Sequence, residues 1–216
     1  VCGWVYRRNG WKIDRDWILC TPGVVAGLVF GELAFTGPGD WIVIQPPVYP
    51  PFAQTIEANG RKEINNPLQF TGKRYEIDFD DLDNKLAEAK AFILCNPHNP
   101  SGRVFSRDEL LRIGELCVKH NVWIISDEIH SDLTYKPNHH IHIASLSEEI
   151  ARLTVTLIAP SKTFNVAGLA TSIAIIPDPE TRRLYSEQVE RLHVGGGNIF
   201  GAQALIAAYT PGDEWL

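Results

Sequence analysis

Short runs of uninterrupted aliphatic residues alternate along this chain with longer stretches whose apolar positions recur every three or four residues. "WILC" precedes "GVVAGLVFGELAF", "WIVIQ" precedes "VYPPFAQTIEANG", and "AFILCN" precedes "SRDELLRIGELCVKHN"; "VWIISD", "LTVTLIA" and "TSIAII" then follow. A strand that is apolar on every residue has no face for water, so these runs predict buried parallel strands covered on both sides by helices. The clearest helix starts at Ser106, where Glu109 completes a capping box and Leu110, Ile113 and Cys117 share one face. The final stretch predicts helix on both sides of Gly195, Gly196 and Gly197, with "PGDEWL" opening another helix. The three glycines read as a hinge or close-packed turn, because the Lys and Ser/Thr of a phosphate loop do not follow them. With no repeat and no linker, residues 1–216 predict one α/β domain.

Composition narrows the function classes. A net charge of −6, with lysines and arginines scattered along the chain, gives no basic footprint for nucleic acid. No apolar run is long enough to span a bilayer and no signal-peptide pattern opens the chain, so the expectation is a soluble cytoplasmic protein. The chain starts at Val1 and contains no Met although Leu, Ile and Val are plentiful, and it is read as a piece of a longer protein. Cys20, Cys95 and Cys117 read as packing residues, and wide spacing argues against disulfides or zinc. In "NHHIH", His139, His140 and His142 invite a metal reading. The sequence favours a polar loop without metal, since adjacent strand residues face opposite ways and no carboxylate stands at a ligand spacing.

In open α/β sheets, ligands sit beyond the carboxyl ends of the strands. Three polar clusters occupy that position: Asn96 and Asn99 after "AFILC", Asp127 and Glu128 at the end of "VWIIS", and Ser161 and Lys162 after "LTVTLIAP". Each alone has a plain reading, since Asn-Pro is usually a turn and Asp after a strand is usually a helix cap. Together, in this order, they predict one crevice. Lys162 is either a lysine drawn toward a core, where burial would make it a nucleophile or base, or a surface lysine with its head in water.

The segments "NPHNPSG", "SDEIHSDL" and "SKTFNVAGL", with "TPGVVAG" and "QPPVYPPF" upstream, resemble the large domain of the fold-type I pyridoxal-phosphate enzymes. Within the class I/II aminotransferase superfamily they are most similar to the MalY/PatB-like branch of cystathionine β-lyases and related carbon-sulfur lyases, from about Trp11 to about Pro177. The resemblance implies a three-layer α/β/α large domain around a mostly parallel mixed sheet with one antiparallel strand, "TSIAII". It implies pyridoxal 5′-phosphate as cofactor, an amino-acid substrate and a homodimeric full-length protein. The family's N-terminal segment and C-terminal small domain are expected to be absent from this chain.

Carried over by motif, Lys162 is the Schiff-base lysine, expected in a desolvated, partly cationic pocket. Asp127 pairs with the pyridinium nitrogen. Asn99 and His130 lie beside the ring 3-oxygen, although His130 also reads as a helix-face histidine. Tyr49 stacks on the ring or is a core tyrosine. Gly23 and the amides of Val24 and Val25 hold the phosphate, with Ser161 adding a hydroxyl. Ala170 stands where the superfamily pattern has a phosphate-binding arginine, which favours the lyase branch over typical aminotransferases. The reaction implied is α,β-elimination of a sulfur amino acid to thiol, pyruvate and ammonia. The alternatives are an aminotransferase, or a non-catalytic cofactor-binding regulator or fragment.

Overall fold

A computed structural model describes residues 1–195 and 197–216; Gly196, in the predicted hinge, lies outside the described residues. The strands are β1 (Ile18–Thr21), β2 (Trp41–Ile44), β3 (Lys62–Asn65), β4 (Gln69–Phe70), β5 (Tyr75–Glu76), β6 (Ala91–Cys95), β7 (Trp123–Asp127), β8 (Thr154–Ile158) and β9 (Ser172–Ile175). The helices are α1 (Cys2–Asn9), α2 (Val24–Phe35), α3 (Pro51–Ala58), α4 (Phe79–Leu86), α5 (Arg107–His120), α6 (Glu148–Arg152), α7 (Pro160–Thr163), α8 (Pro179–Arg191) and α9 (Ile199–Tyr209). Seven strands form one sheet in the order β1-β9-β8-β7-β6-β2-β3, and β4 pairs with β5 in a separate hairpin.

The sheet is mixed as expected. β3, β2, β6, β7 and β8 run parallel, and β9, the "TSIAII" run, is antiparallel to β8 on one side and β1 on the other. Alternate residues of the central strands feed two cores. Ile93 and Ile125 pack with α2 and α3 on one face, whereas Phe92, Leu94 and Ile124 pack with Leu82, Leu110 and Ile113 of α4 and α5 on the other. This is the expected three-layer α/β/α arrangement. A third cluster joins α1 and α9, where the Trp4 and Tyr209 rings stack at 4.8 Å.

Two expectations are corrected. β1 is the sheet's edge strand, only partly covered, and Cys20 on it is exposed rather than packed, because a strand needs neighbours on both sides and both faces to be buried. "PGDEWL" forms a short 3₁₀ turn, Gly212–Glu214, in place of a new α-helix. The capping box at Ser106 and Glu109 is present, and Cys95 and Cys117 are buried.

Helix α2 is the element that brings the fold to the site. It lies against β7 and β8 through Gly27 and Gly31, one turn apart. A Cβ on Gly31 would lie 2.9 Å from Cδ1 of Ile125, and one on Gly27 2.8 Å from Cδ2 of Leu157. Close approach on this side sets where the N-terminus of α2 ends up relative to the strand ends. Gly31→Ala should therefore cost about 1–2 kcal/mol despite its better helix propensity. Thermal unfolding should show a lower midpoint, and adding Ile125→Val should recover part of the loss; a variant as stable as wild type would contradict this packing.

Candidate active site

The registers of the central strands align their carboxyl ends. Cys95 pairs with Asp127, and Asp127 with Leu157, so the three polar clusters leave the sheet along one edge. A cavity of about 240 Å³ lies there. Lys162, Asp127, Asn99, His130 and Ser161 all line it. Tyr49 and the Gly23–Val25 segment complete its wall, so the three strand ends do share one crevice; Asn96 and Glu128, expected there too, are buried inside the fold and do not line it.

Each side chain reaches the cavity for a local reason. After β6 the chain folds back in a tight turn, in which Gly102 N–H donates to the His98 carbonyl at 2.7 Å and His98 N–H to the Arg103 carbonyl at 2.7 Å. Cys95 Sγ accepts the N–H of Asn99 at 3.3 Å, which fixes the turn so that Asn99 faces the cavity. Asn96 has a different job: its Oδ1 accepts the Phe105 N–H at 2.9 Å inside the fold.

Asp127 ends β7 and is buried at 6% exposure. Its Oδ1 accepts the Ile129 N–H at 3.1 Å. Burial pushes its carboxyl up to about 7, with the neighbouring Glu128 charge adding to the rise and the Ile129 N–H and Lys162 opposing it. His130 sits in the turn that follows, not on a helix face, and its pKa is lowered by burial and then by the Lys162 charge.

Lys162 lies on the short helix α7 that leaves β8, between buried Pro160 and Thr163. It is neither buried nor remote from the site: the side chain is exposed on the open side of the cavity. It is the one lysine or arginine on that wall and makes no hydrogen bond or ion pair among the described residues. The desolvated, cationic surroundings expected for it are therefore not found in this chain, because apolar flanks bury the backbone of α7 but leave its outer side chain free.

Gly23 is the N-cap of α2 and has φ 128°, a conformation that a side chain would strain. No side chain caps this helix start, so the first-turn amides of Val24 and Val25 remain donors at its positive end. Tyr49 is half-exposed at the cavity wall, edge-on to Phe52 at 6.0 Å, and so is not a core tyrosine. Cys95, Ile129, Ala167, Ala170 and Thr171 also line the cavity. Of these, Cys95 as the last residue of an apolar run was the one that its position could have flagged.

The "NHHIH" segment departs from expectation. His139 is exposed, but His140 and His142 are buried and converge with Glu128, a carboxylate far away in sequence. His140 Nε2 lies 2.6 Å from Glu128 Oε2, and His142 Nδ1 contacts the same oxygen. Both rings thus spend a nitrogen on one carboxylate oxygen in a hydrogen-bonded cluster.

The family model described as aminotransferase class I and II matches residues 1–214. Cystathionine beta-lyase PatB of Bacillus subtilis is 50% identical over the whole of this chain, which spans 56% of that protein's length. Among solved structures, cystalysin from Treponema denticola, which contains a pyridoxal 5′-phosphate cofactor, superposes with a TM-score of 0.96 at 36% identity. The match covers 99% of this chain and 55% of cystalysin. The PLP-bound C-S lyase from Staphylococcus hominis gives 0.93 at 32% identity, covering 99% of this chain and 54% of that structure. From this agreement of sequence and fold, the chain belongs to the aminotransferase class I and II family.

Proposed function

We propose that this chain is the large, cofactor-binding domain of a pyridoxal 5′-phosphate-dependent carbon-sulfur β-lyase acting on a sulfur amino acid such as cystathionine or cysteine. The observation that carries the reading is that an unpaired lysine, a buried carboxylate and an uncapped helix N-terminus open into one cavity. The lyase names of similar proteins support it, and the chain spans about half the length of those relatives. Four free cysteines fit a reducing cytoplasm. Exposed Ile199 and Phe200 on α9 fit a surface covered by a second subunit of a homodimer.

The donor set suits this cofactor. Asp127 is a buried carboxylate short of a cation, which a protonated ring nitrogen would supply. The free amides of Val24 and Val25 offer a phosphate the positive end of α2, and no atom stands within 4 Å of where a Gly23 Cβ would project. When bound, the cofactor supplies a ring that accepts the electron pair left as the substrate Cα loses its proton.

The chain's own groups then have distinct tasks. Lys162 Nζ would hold the cofactor and would be the base for the substrate Cα proton, and its exposed position on the cavity wall leaves it room for both. The Asp127 carboxylate would keep a proton on the ring nitrogen. Asn99 and His130 would lie toward the ring oxygen, with burial and the Lys162 charge lowering the pKa of His130. Tyr49 would lie against the ring. Ser161 would add a hydroxyl to the phosphate, where Ala170 offers no guanidinium. Breaking the Cα–H and Cβ–S bonds releases a thiol, and hydrolysis of the remainder gives pyruvate and ammonia.

The family's description favours transamination as the second reading, since the same residues serve both. Incubation of the intact protein with cystathionine should yield thiol and pyruvate without any added keto acid. Turnover that required a keto-acid acceptor would replace the lyase with an aminotransferase.

Asp127 supplies a second test, in the cofactor-free protein. Its folded pKa of about 7 lies above the ordinary carboxylate value near 4, so folding binds its proton more tightly. That contribution to stability is complete below about pH 4 and is lost as pH rises through 7. Asp127→Asn should therefore stabilise the cofactor-free protein at pH 8 by up to about 4 kcal/mol, with no gain at pH 4. At the same time it should cut turnover at saturating cofactor by about 100-fold or more. Denaturant midpoints identical to wild type at pH 8 would contradict the burial of this charge.

A further inference from the structure

The cluster around Glu128 is absorbed by none of the roles above, yet it begins one residue from Asp127. Glu128 is 1% exposed, and its carboxylate is fully engaged as an acceptor. Ser126 Oγ donates to Oε1 at 2.7 Å, while both histidine rings approach Oε2. An oxygen with two ring nitrogens and no proton of its own to give requires an N–H on each.

The second nitrogens settle the protonation of the rings. On α1, Asn9 Nδ2 donates to the His140 carbonyl at 3.3 Å, which turns Asn9 Oδ1 toward His142 Nε2 at 3.2 Å. An oxygen there accepts, so His142 Nε2 carries a hydrogen. Its Nδ1 also carries one, because an unprotonated nitrogen would set a lone pair against the carboxylate. His140 differs: its Nδ1 is buried without a partner, so a hydrogen there would be an unsatisfied buried donor.

We propose that His142, as a buried imidazolium paired with Glu128, and His140, as a neutral Nε2–H donor, form a clamp that positions Asp127 and neutralises the Glu128 charge beside it. The proposal rests on the reading of the cavity as a cofactor site. His142 and His140 are positioning residues: they touch neither the cavity nor its contents and act through Glu128. Backbone bonds tie the same peptide link to both neighbouring strands, Glu128 N–H donating to the Leu157 carbonyl at 2.9 Å and Asn96 N–H to the Asp127 carbonyl at 3.0 Å, so the side chain held at Glu128 sits at a fixed place beside Asp127.

The surrounding charges are few. Asp132, in the turn after β7, is held by Arg8 of α1 at 3.4 Å, and Lys162 of α7 acts on Asp127 from the cavity side. Trp11 covers His142 with ring centroids 4.9 Å apart. Burial alone would raise the Glu128 pKa, but the charge of His142 and the hydrogen bonds from both rings oppose it and hold the carboxyl below its usual range. Without His142 the Glu128 charge has no counter-charge and acts on Asp127, the direction in which it already pushes.

His142→Asn keeps a donor at the Nδ1 position and removes the charge; His140→Gln keeps a donor at the Nε2 position and changes no charge. The dissociation constant of pyridoxal 5′-phosphate is measured against pH for the intact protein and both variants. In His142→Asn the pH at which affinity falls on the acid side should move up by about one unit, while His140→Gln should follow wild type. Coincident profiles for all three, or equal shifts in both variants, would overturn the proposal.

Ring-¹⁵N NMR of the cofactor-free intact protein provides an arm independent of the cofactor and of variant folding. At neutral pH, His142 should show protons on both nitrogens and His140 on Nε2 alone. A singly protonated His142, or a stoichiometric metal ion bound by the rings, would overturn the clamp and leave the cofactor reading standing. Failure of the wild-type protein to bind the cofactor, with the NMR pattern as expected, would overturn the cofactor reading and the link to Asp127.

Discussion

Asp127 occupies the last rung of β7, level with Cys95 on β6 and Leu157 on β8, and backbone hydrogen bonds on both sides hold it there. A parallel sheet delivers its strand ends to one edge only if the registers agree, and a slip of one residue would turn Asp127 to the opposite face. Lys162 on α7, Asn99 in the turn after β6 and the N-terminus of α2 all take their positions from this edge. Gly27 and Gly31 bring α2 close enough for its free amides to share the cavity.

The electrostatics of the cavity follow from unequal burial. Asp127 is enclosed and loses solvation, so its charge is costly until a cation arrives; Lys162 stands in the open and pays no such cost. The nearest full negative charge, on Glu128, would make matters worse for Asp127, and it is the histidine pair that offsets it. The site thus has a buried carboxylate on one side and an exposed amine on the other, the division on which the proposed function rests.

Much of this was legible in the residues because it is local. Uninterrupted runs such as "AFILC" and "VWIIS" give strands buried on both faces, Ser106 and Glu109 give a helix start, and residues just past such runs fall at the carboxyl edge. What was not legible depends on neighbours distant in sequence. "WILC" has the composition of a buried strand but lies at the edge, so Cys20 faces water. The apolar flanks of Lys162 fix the backbone of α7 and say nothing of the side chain's direction. His140 and His142 find their carboxylate 12 and 14 residues away and their amide partner on α1, so a spacing rule applied to "NHHIH" alone could not find it.

On the proposed function, the amine of Lys162, and no other in the chain, bonds the cofactor. Reducing the intact, cofactor-loaded protein with borohydride and mapping the labelled peptide by mass spectrometry tests it directly. A single pyridoxyl group is expected on the peptide containing "SKTFNVAGL", at Lys162. A label on any other lysine, or none on a protein shown to hold the cofactor, would contradict it.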